Sequence, residues 1–277
     1  MPPLPSPLQP VVIAVPHGGI AVLPDLHPPF APWVTPRRLR AQSDLFTDLV
    51  YDIEGTRRIV NPWSRFVADP NRTEEQGTEG GVVPWLDFDL EPLYESGREP
   101  TKGQQRLRVE RFHRTHHALA AAEVALPETR LFLDGHSCSS IGPARSPDPG
   151  RRRPDVILGN CGDAEGERVP GDVDLTFSPI LLRKVASMFR DRLRSAAVGA
   201  GDGPPIFGTV SLNVPFAGGH GVQSHTRWPG GVPGLQVELN QGLWANEESL
   251  ECSEHRVVWI RGVLGAWIED VVSLLPG

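Results

Sequence analysis

The stretch VVIAVPHGG at residues 11–19 is the clearest guide to the fold of this sequence. Its first five residues form a continuous apolar run, which predicts a buried strand over residues 11–15. The spacing of apolar residues that follows predicts an amphipathic helix over 36–53, and a short strand over 57–60 comes next. Strand, helix and strand in this order form a βαβ unit, which indicates parallel strands.

The same alternation continues to the end of the chain. Helices are predicted over 101–124, over 178–196 and up to 275, and strands over 130–134, over 155–159, near 209 and over 235–239. Strands that alternate with helices imply a largely parallel sheet covered on both faces. We therefore expect one α/β domain over residues 1–277, with three αβα layers, a mostly parallel mixed sheet, long loops and a flexible segment at residues 1–9.

The composition limits the classes of partner. The 277 residues include 29 Gly and 29 Pro, which predicts long ordered loops, where binding residues concentrate. With 27 Lys and Arg against 34 Asp and Glu, the net charge is −7, so the chain lacks the general positive field that holds nucleic acid. The one basic run, at residues 151–153, is either a solvated loop or a lid that contacts an anion.

Cysteine usage and the first residues indicate a compartment. Cys138, Cys161 and Cys252 are odd in number and form no CxxC pair, which argues against a disulfide framework and against a cysteine-based zinc site. The first ten residues contain no Lys or Arg and no apolar signal core, and no run reaches membrane-spanning length. We expect a cytoplasmic protein without membrane contact.

Ligands of such sheets bind beyond the carboxyl ends of the strands. His17 follows the first predicted strand, and His136 follows the apolar run LFLD. The strand QVELN directs Gln236, Glu238 and Asn240 to one face, and a carboxylate in an apolar strand is costly unless it is paired or functional.

Two histidines and a carboxylate at strand ends are the components of a hydrolytic zinc site. Such a site uses three protein ligands, leaves one position for water and employs a further carboxylate as base. The sequence contains no HExxH motif, and Asp44 is the best candidate for the third ligand. Asp48 lies one turn further along, and either carboxylate could instead be a solvated helix residue. Manganese, iron or cobalt could occupy the same donors.

A competing cluster lies in RFHRTHHAL, where His113, His116 and His117 share a helix face. HxxxH spacing can chelate a metal. A structural or hydrogen-bonding role is favoured, because the cluster has neither a strand end nor a neighbouring loop carboxylate. His220 and His225 lie in a Gly-rich loop and could line a pocket.

Two loop segments could bind an anionic substrate. Arg72 ends the segment ADPNR with a guanidinium, which suits bidentate recognition of a carboxylate. The segment NVPFAGG at 213–219 offers an amide and backbone N–H groups that could hold an oxygen. Each segment could also be an ordinary turn.

Taken together, these motifs resemble those of the N-formylglutamate amidohydrolase family. The matching pieces follow one another over most of the chain: PHGG at 16–19, SD at 43–44, ADPNR ending at 72, FHRTHHAL at 112–119, LDGHS at 133–137, DVILGN at 155–160, NVPFAGG at 213–219 and QVELN at 236–240. The resemblance implies a fold related to the zinc carboxypeptidases.

The resemblance also implies roles for individual residues. His17 and His136 would be ligands of one Zn²⁺, with Asp44 the third, although another divalent metal could replace zinc. Glu238 would be the general base. The sequence departs from the HxxE pattern of the carboxypeptidases, so the third ligand must come from elsewhere in the chain.

The implied substrate is a small molecule with carboxylates. The residues expected to bind it are Arg72, Asn71, Arg65, Asn213, Gly218 and Gly219. The expected reaction is hydrolysis of N-formyl-L-glutamate, or a similar N-acyl acidic amino acid, to formate and the amino acid. The alternatives are a related deacylase, a formimidoyl hydrolase, a peptidase or a catalytically silent protein that binds carboxylates. The sequence does not indicate the number of subunits.

Overall fold

The structure, a computed structural model, describes residues 6–76 and 79–276, and a six-stranded sheet runs through it. Its strands are β1 (Val11–Val15), β2 (Arg57–Val60), β3 (Leu131–Cys138), β4 (Val156–Gly159), β5 (Val210–Leu212) and β6 (Gly234–Asn240). The strand order is β2-β1-β3-β6-β4-β5. All neighbouring pairs are parallel except β4 and β6, which are antiparallel. The predicted α/β class with a mostly parallel mixed sheet is confirmed.

Helices connect these strands. They are α1 (Pro36–Ala41), α2 (Thr47–Val50), α3 (Lys102–Arg108), α4 (Arg114–Val124), α5 (Pro179–Ala196), α6 (His220–His225) and α7 (Glu254–Leu274). A π-helical turn, Val109–His113, joins α3 to α4. Thr101 and Gln104 form a reciprocal capping box at the start of α3, which satisfies backbone donors that the first helical turn leaves free. A pair of two-residue strands, β7 (Ala245–Asn246) and β8 (Glu251–Cys252), forms a second small sheet.

Alternate residues of the central strands face two different layers. Leu133 and its odd-numbered neighbours pack against α5 and α7, where Phe189 and Trp267 stack at 4.6 Å between ring centroids. Phe132 faces the opposite side and packs with Ala120 of α4. Burying a side chain of this size contributes about 1.5–3 kcal/mol. The fold therefore has the three predicted layers, and the even-numbered residues of β3 lie on the α4 side.

The prediction of one continuous helix over residues 36–53 is wrong, because residues 42–46 are not helical. The chain leaves the helix between α1 and α2, and Phe46 adopts a left-handed φ of 56°. Within this break the Asp44 N–H donates to the His17 carbonyl at 3.2 Å, and the Asp44 carboxylate accepts from the Ser137 N–H at 3.0 Å. These tertiary hydrogen bonds outweigh the helical tendency of the segment, which is only a weak preference.

Two further expectations are corrected at strand and chain ends. The strand predicted over 130–134 continues to Cys138, so His136 lies within β3 rather than after it. Residues 1–5 of the predicted flexible segment lie outside the described residues. In its remainder, Leu8 is buried in the main core, so this part of the segment is packed.

No helix in the described ranges is both long enough and apolar enough to span a membrane.

Candidate active site

The polar residues of two neighbouring strands meet on the α4 side of the sheet. His136 of β3 and Glu238 of β6 are register partners, and His17 lies two residues beyond the end of β1. All three residues are buried, at 2%, 7% and 2% exposure. Because these strands are parallel, their carboxyl ends share one edge of the sheet, as the sequence predicts.

Three ligand-type atoms converge at this edge. His136 Nδ1 lies 3.1 Å from His17 Nδ1 and 3.4 Å from Asp44 Oδ2, and the third side of the triangle, between His17 Nδ1 and Asp44 Oδ2, is 3.7 Å. Ligands at about 2.0–2.2 Å from a tetrahedral zinc ion lie roughly 3.4 Å apart. The three predicted ligands are therefore brought together at distances that fit one metal ion.

The outer nitrogen of each histidine faces a carboxylate. His17 Nε2 lies 2.8 Å from Asp69 Oδ1, and His136 Nε2 lies 3.2 Å from Asp134 Oδ1. An ionised carboxylate only accepts hydrogen bonds, so each Nε2 carries a proton and donates it. When Nδ1 of each ring is deprotonated, as in a metal ligand, His17 and His136 direct two lone pairs, together with Asp44, at one point, and this donor set fits a cation.

The pKa values of His136 and Asp44 both indicate that positive charge is favoured between these groups. Burial opposes protonation of His136, but the Asp134 carboxylate outweighs it and raises the pKa of His136 well above its usual range. Burial also opposes ionisation of Asp44, yet His17 and His136 hold the pKa of Asp44 well below its usual range. Without a metal, a proton supplies the positive charge, and metal binding releases that proton.

The carboxylates behind the histidines are themselves held in place. Asp69 accepts from Arg65 Nη2 at 2.7 Å, and Asp134 accepts from the Val222 N–H at 3.1 Å. Such outer partners orient metal ligands and raise their basicity. Sequence reasoning missed the roles of Asp69 and Asp134, although both lie in the motifs ADPNR and LDGHS.

Gly135 leaves room for the Tyr51 ring behind the site. A Cβ at Gly135 would meet the Tyr51 ring at 2.8 Å. The Tyr51 hydroxyl donates to the backbone carbonyls of His136 at 3.1 Å and of Val237 at 2.8 Å. Tyr51 thereby ties β3 to β6 directly behind the site, and only glycine leaves room for its ring.

Glu238 has the properties of a base that operates near neutral pH. Its carboxylate accepts from Gln236 Nε2 at 3.0 Å, and Gln236 Oε1 accepts from the Gly219 N–H at 2.7 Å. Burial raises the pKa of Glu238 to about 7, and the neighbouring Asp44 carboxylate acts in the same direction. The ideal pKa of a general base lies near the operating pH.

A cavity of about 490 Å³ opens over these groups, and arginines line one of its walls. Arg65 is held by Asp69 and lies over the Phe88 ring at 4.6 Å. Arg72 also lines the cavity and makes no ion pair among the described residues. Sequence reasoning missed Arg145, whose guanidinium donates to the Leu86 carbonyl at 3.2 Å. Burial and the charge of Arg72 lower the pKa of Arg145, which indicates a wall that favours anions.

Of the other residues predicted to bind substrate, some line the cavity and one does not. Asn71, Gly218 and Gly219 line the cavity, and Asn71 Nδ2 lies 3.4 Å from His136 Nε2. The Gly219 N–H is already donated to a side chain of β6, so it is not available to hold a substrate oxygen.

The prediction for Asn213 is wrong in its placement. Asn213 is absent from the described lining of the cavity, and its side chain exchanges hydrogen bonds with Asn160, including Nδ2 to Asn160 Oδ1 at 2.9 Å. Its φ of 57° marks a left-handed turn position, which asparagine tolerates better than most residues. Asn213 therefore stabilises the turn after β5.

The basic run at residues 151–153 separates into two parts. Arg151 and Arg152 are exposed, whereas Arg153 is buried and lines the cavity. Arg153 forms a bidentate pair with Asp148 and lies 4.8 Å from the Phe216 ring centre. Arg151 and Arg152 therefore fit the solvated loop, and contact between Arg153 and an anion stays a prediction.

The histidines of the π-helical turn, α4 and α6 lie outside the cavity. His113, His116 and His117 contribute nothing to the described lining of the cavity, and the same holds for His220 and His225. His220 and His225, which could line a pocket by their sequence, do not line this one. The helix histidines form a separate cluster beside the segment that carries Asn71 and Arg72.

Comparisons with known proteins agree with this arrangement. The sequence model of the family described as N-formylglutamate amidohydrolase matches residues 9–245. An N-formylglutamate deformylase from Pseudomonas putida is 22% identical over 250 residues, which cover 86% of this chain and 82% of that protein.

Two solved structures share the fold. An N-formylglutamate amidohydrolase from Ralstonia eutropha JMP134 matches with a TM-score of 0.72 at 21% identity, over 95% of this chain and 93% of that one. A gene product of Agrobacterium tumefaciens matches with a TM-score of 0.58 at 16% identity, over 95% and 90% of the two chains.

Proposed function

This chain belongs to the N-formylglutamate amidohydrolase family, and we propose that it hydrolyses N-formyl-L-glutamate, or a similar N-acyl acidic amino acid, in a zinc-dependent reaction. The observation that carries the proposal is the convergence of His17 Nδ1, His136 Nδ1 and Asp44 Oδ2 beside the buried Glu238. The products are formate and the free amino acid.

His17, Asp44 and His136 are the residues that would hold the metal. When bound, a zinc ion supplies Lewis acidity, which polarises an amide carbonyl and makes water more acidic. Asp69 and Asp134 keep both imidazoles in the tautomer that presents Nδ1. Nitrogen and carboxylate donors also accept other divalent metals, so the choice of zinc is part of the proposal.

Glu238 moves the proton in the proposed reaction. Its carboxylate takes a proton from the attacking water as the bond from the water oxygen to the formyl carbon forms. It then returns that proton to the amine nitrogen as the C–N bond breaks. In the protein without a metal, burial raises the pKa of Glu238 to about 7, and a pKa near the operating pH favours both taking and returning a proton. Gln236 orients the carboxylate through its 3.0 Å hydrogen bond.

The arginine-lined wall supports an acidic substrate. A formyl group is too small to provide much discrimination, so recognition must come from the carboxylates of the amino acid. Arg72 and Arg145 line the cavity with Arg65, and guanidinium groups bind carboxylates with two parallel hydrogen bonds. Since Arg65 is committed to Asp69, we assign substrate binding chiefly to Arg72 and Arg145.

A direct test measures formate released from N-formyl-L-glutamate by protein that has been stripped with a chelator and reloaded with zinc. The expected result is release that requires zinc and that is much faster than release from N-formyl-L-leucine, which lacks the side-chain carboxylate. Protein that holds zinc at the strand ends and releases no formate from either compound would disprove deformylase activity.

A related deacylase is the second candidate. The cavity of about 490 Å³ is large for a formyl group alone and could admit a longer acyl chain. N-acetyl-L-glutamate and N-formimidoyl-L-glutamate, assayed beside the formyl compound, separate these reactions. A higher kcat/KM for either of them would assign this protein to the second candidate.

A further inference from the structure

A second group of imidazoles lies where α4 meets α6. His113 ends the π-helical turn, His117 follows one helical turn later and His220 begins α6. The ring centroid of His117 lies 4.5 Å from that of His113 and 4.8 Å from that of His220. One nitrogen from each residue lies within 4.8 Å of the other two. Single π-helical turns within helices occur frequently at functional sites.

Backbone carbonyls fix the tautomers of two of these rings. His113 Nε2 lies 2.9 Å from the Arg72 carbonyl, and His117 Nε2 lies 2.8 Å from the Pro70 carbonyl. A carbonyl only accepts hydrogen bonds, so both Nε2 atoms carry protons and both Nδ1 atoms present lone pairs. Histidines that bind metals are commonly held in this way, with the outer N–H donated to a carbonyl or a carboxylate.

One of the two lone pairs is buried and has no partner. His113 is 3% exposed, and its Nδ1 makes no hydrogen bond within the part of the chain that the structure describes. Buried polar atoms are nearly always satisfied, so an orphan acceptor points to an absent donor or cation. His113, His117 and His220 each offer a nitrogen within 4.8 Å of the other two, and a cation held by this group through His113 Nδ1 would satisfy that atom.

The second lone pair already has a contact that a cation could replace. His117 Nδ1 lies 2.8 Å from His225 Nε2, and one proton between the two nitrogens makes this a hydrogen bond. Because the His117 proton is on Nε2, His225 Nε2–H donates to His117 Nδ1. A cation bound at His117 Nδ1 would replace this hydrogen bond.

The donor types favour a transition metal. The cluster offers imidazole nitrogens, and neutral imidazole is the form of histidine that ligates metals. A donor set of imidazole nitrogens suits zinc, nickel, copper and cobalt, whereas magnesium and calcium prefer oxygen donors.

We propose that His113, His117 and His220 form a second metal site, which binds a Zn²⁺-like transition metal and has a structural role. The site would join α4 and α6 to the segment 70–72, whose carbonyls already anchor two of the rings. That segment carries Asn71 and Arg72 into the cavity. The second metal would therefore hold the substrate-binding wall in place without reaching the reacting atoms.

The test counts metal ions bound to protein stripped with a chelator, dialysed against Zn²⁺ and analysed by inductively coupled plasma mass spectrometry. Wild type is expected to bind two equivalents, and His220→Ala is expected to bind one. His27→Ala is the matched control, because His27 is exposed and outside both clusters, and it should bind two. His17→Ala should also bind one equivalent, but at the helix cluster.

Cobalt substitution identifies which site is lost. Co²⁺ absorption bands from a site of three nitrogens differ from those of a site of two nitrogens and a carboxylate, so His220→Ala and His17→Ala should lose different bands. Circular dichroism confirms that the half-buried His220 can be replaced without unfolding. Metal binding in wild type that His220→Ala leaves unchanged, in equivalents and in cobalt bands, would overturn the proposal.

Discussion

The two histidine clusters use the same ligand atom and differ in what lies behind it. At the strand ends, His17 and His136 donate Nε2–H to Asp69 and Asp134, whereas at the helices His113 and His117 donate to backbone carbonyls. Asp134 raises the pKa of His136 well above its usual range against the effect of burial, whereas burial and the neighbouring His113 and His225 lower the pKa of His117 to about 3. A carboxylate behind a buried imidazole thus favours positive charge there.

The clusters also differ in what lies beside them. The strand-end cluster has a buried carboxylate, Glu238, and opens into the arginine-lined cavity. The helix cluster is outside that cavity, and its described members are imidazoles alone. The first arrangement suits the proposed hydrolysis, and the second suits the proposed structural role.

The largest expected effect comes from removing the base at the strand ends. Glu238→Gln keeps the size of the side chain but cannot accept the proton from water, so kcat should fall by about 10²–10⁴-fold. Zinc content should remain that of wild type, because Glu238 is not one of the three converging donors. Steady-state formate release together with metal analysis checks both statements. Turnover within threefold of wild type would remove Glu238 from this role.

Substitution of the arginines that line the cavity should give the next largest effect. It should change KM, which reports on substrate binding, more than kcat. Arg72→Ala and Arg145→Ala should each raise KM for N-formyl-L-glutamate by roughly 10–100-fold, since each removes a charged hydrogen bond of about 1.5–3 kcal/mol. The exposed Arg106 of α3 provides a charge-matched control, and Arg106→Ala should leave KM unchanged. An equal change in all three variants would mean that only net charge matters.

The contrast between carboxylate and carbonyl can be tested at a single position. Asp69→Asn keeps the hydrogen bond to His17 Nε2 but replaces the carboxylate by a neutral acceptor, as at the helix cluster. Zinc affinity at the strand ends should fall by about 10–100-fold. Competition with a chromophoric chelator measures this change, which should be absent at the helix cluster. An unchanged affinity would show that the charge behind His17 is irrelevant.

The smallest effects concern stability, and two glycines should respond with opposite signs. Gly135→Ala introduces a methyl group 2.8 Å from the Tyr51 ring and should destabilise the fold by about 1–3 kcal/mol. Gly262→Ala lies within α7, where the added Cβ meets nothing within 4 Å, and should stabilise by about 0.5–1 kcal/mol. Urea unfolding compares the two, and a neutral result at Gly135 would mean that Tyr51 can move away.

The sequence predicts the sheet well because continuous apolar runs report directly on buried strands. It also predicts His17, His136 and Glu238, since polar residues at the ends of apolar strands are conspicuous. It fails for the segment around Asp44, where two hydrogen bonds to distant backbone interrupt a helical pattern.

The remaining features depend on contacts that no local pattern encodes. Asp69 and Asp134 act through the rings that they face, and Arg145 reaches the cavity from a loop remote in sequence from Arg72. Asn213 is misplaced by the same reasoning, because a polar residue in a Gly-rich loop looks like a ligand whether or not it faces the cavity.

The most direct measurement is a titration of zinc into chelator-stripped His220→Ala while formate release from N-formyl-L-glutamate is recorded. In this variant only the strand-end donors of His17, Asp44 and His136 remain as a described site. Activity should rise in proportion to added zinc and level off at one equivalent per chain. Full activity in the stripped protein, or none with one equivalent bound, would contradict hydrolysis at a metal held by these three residues.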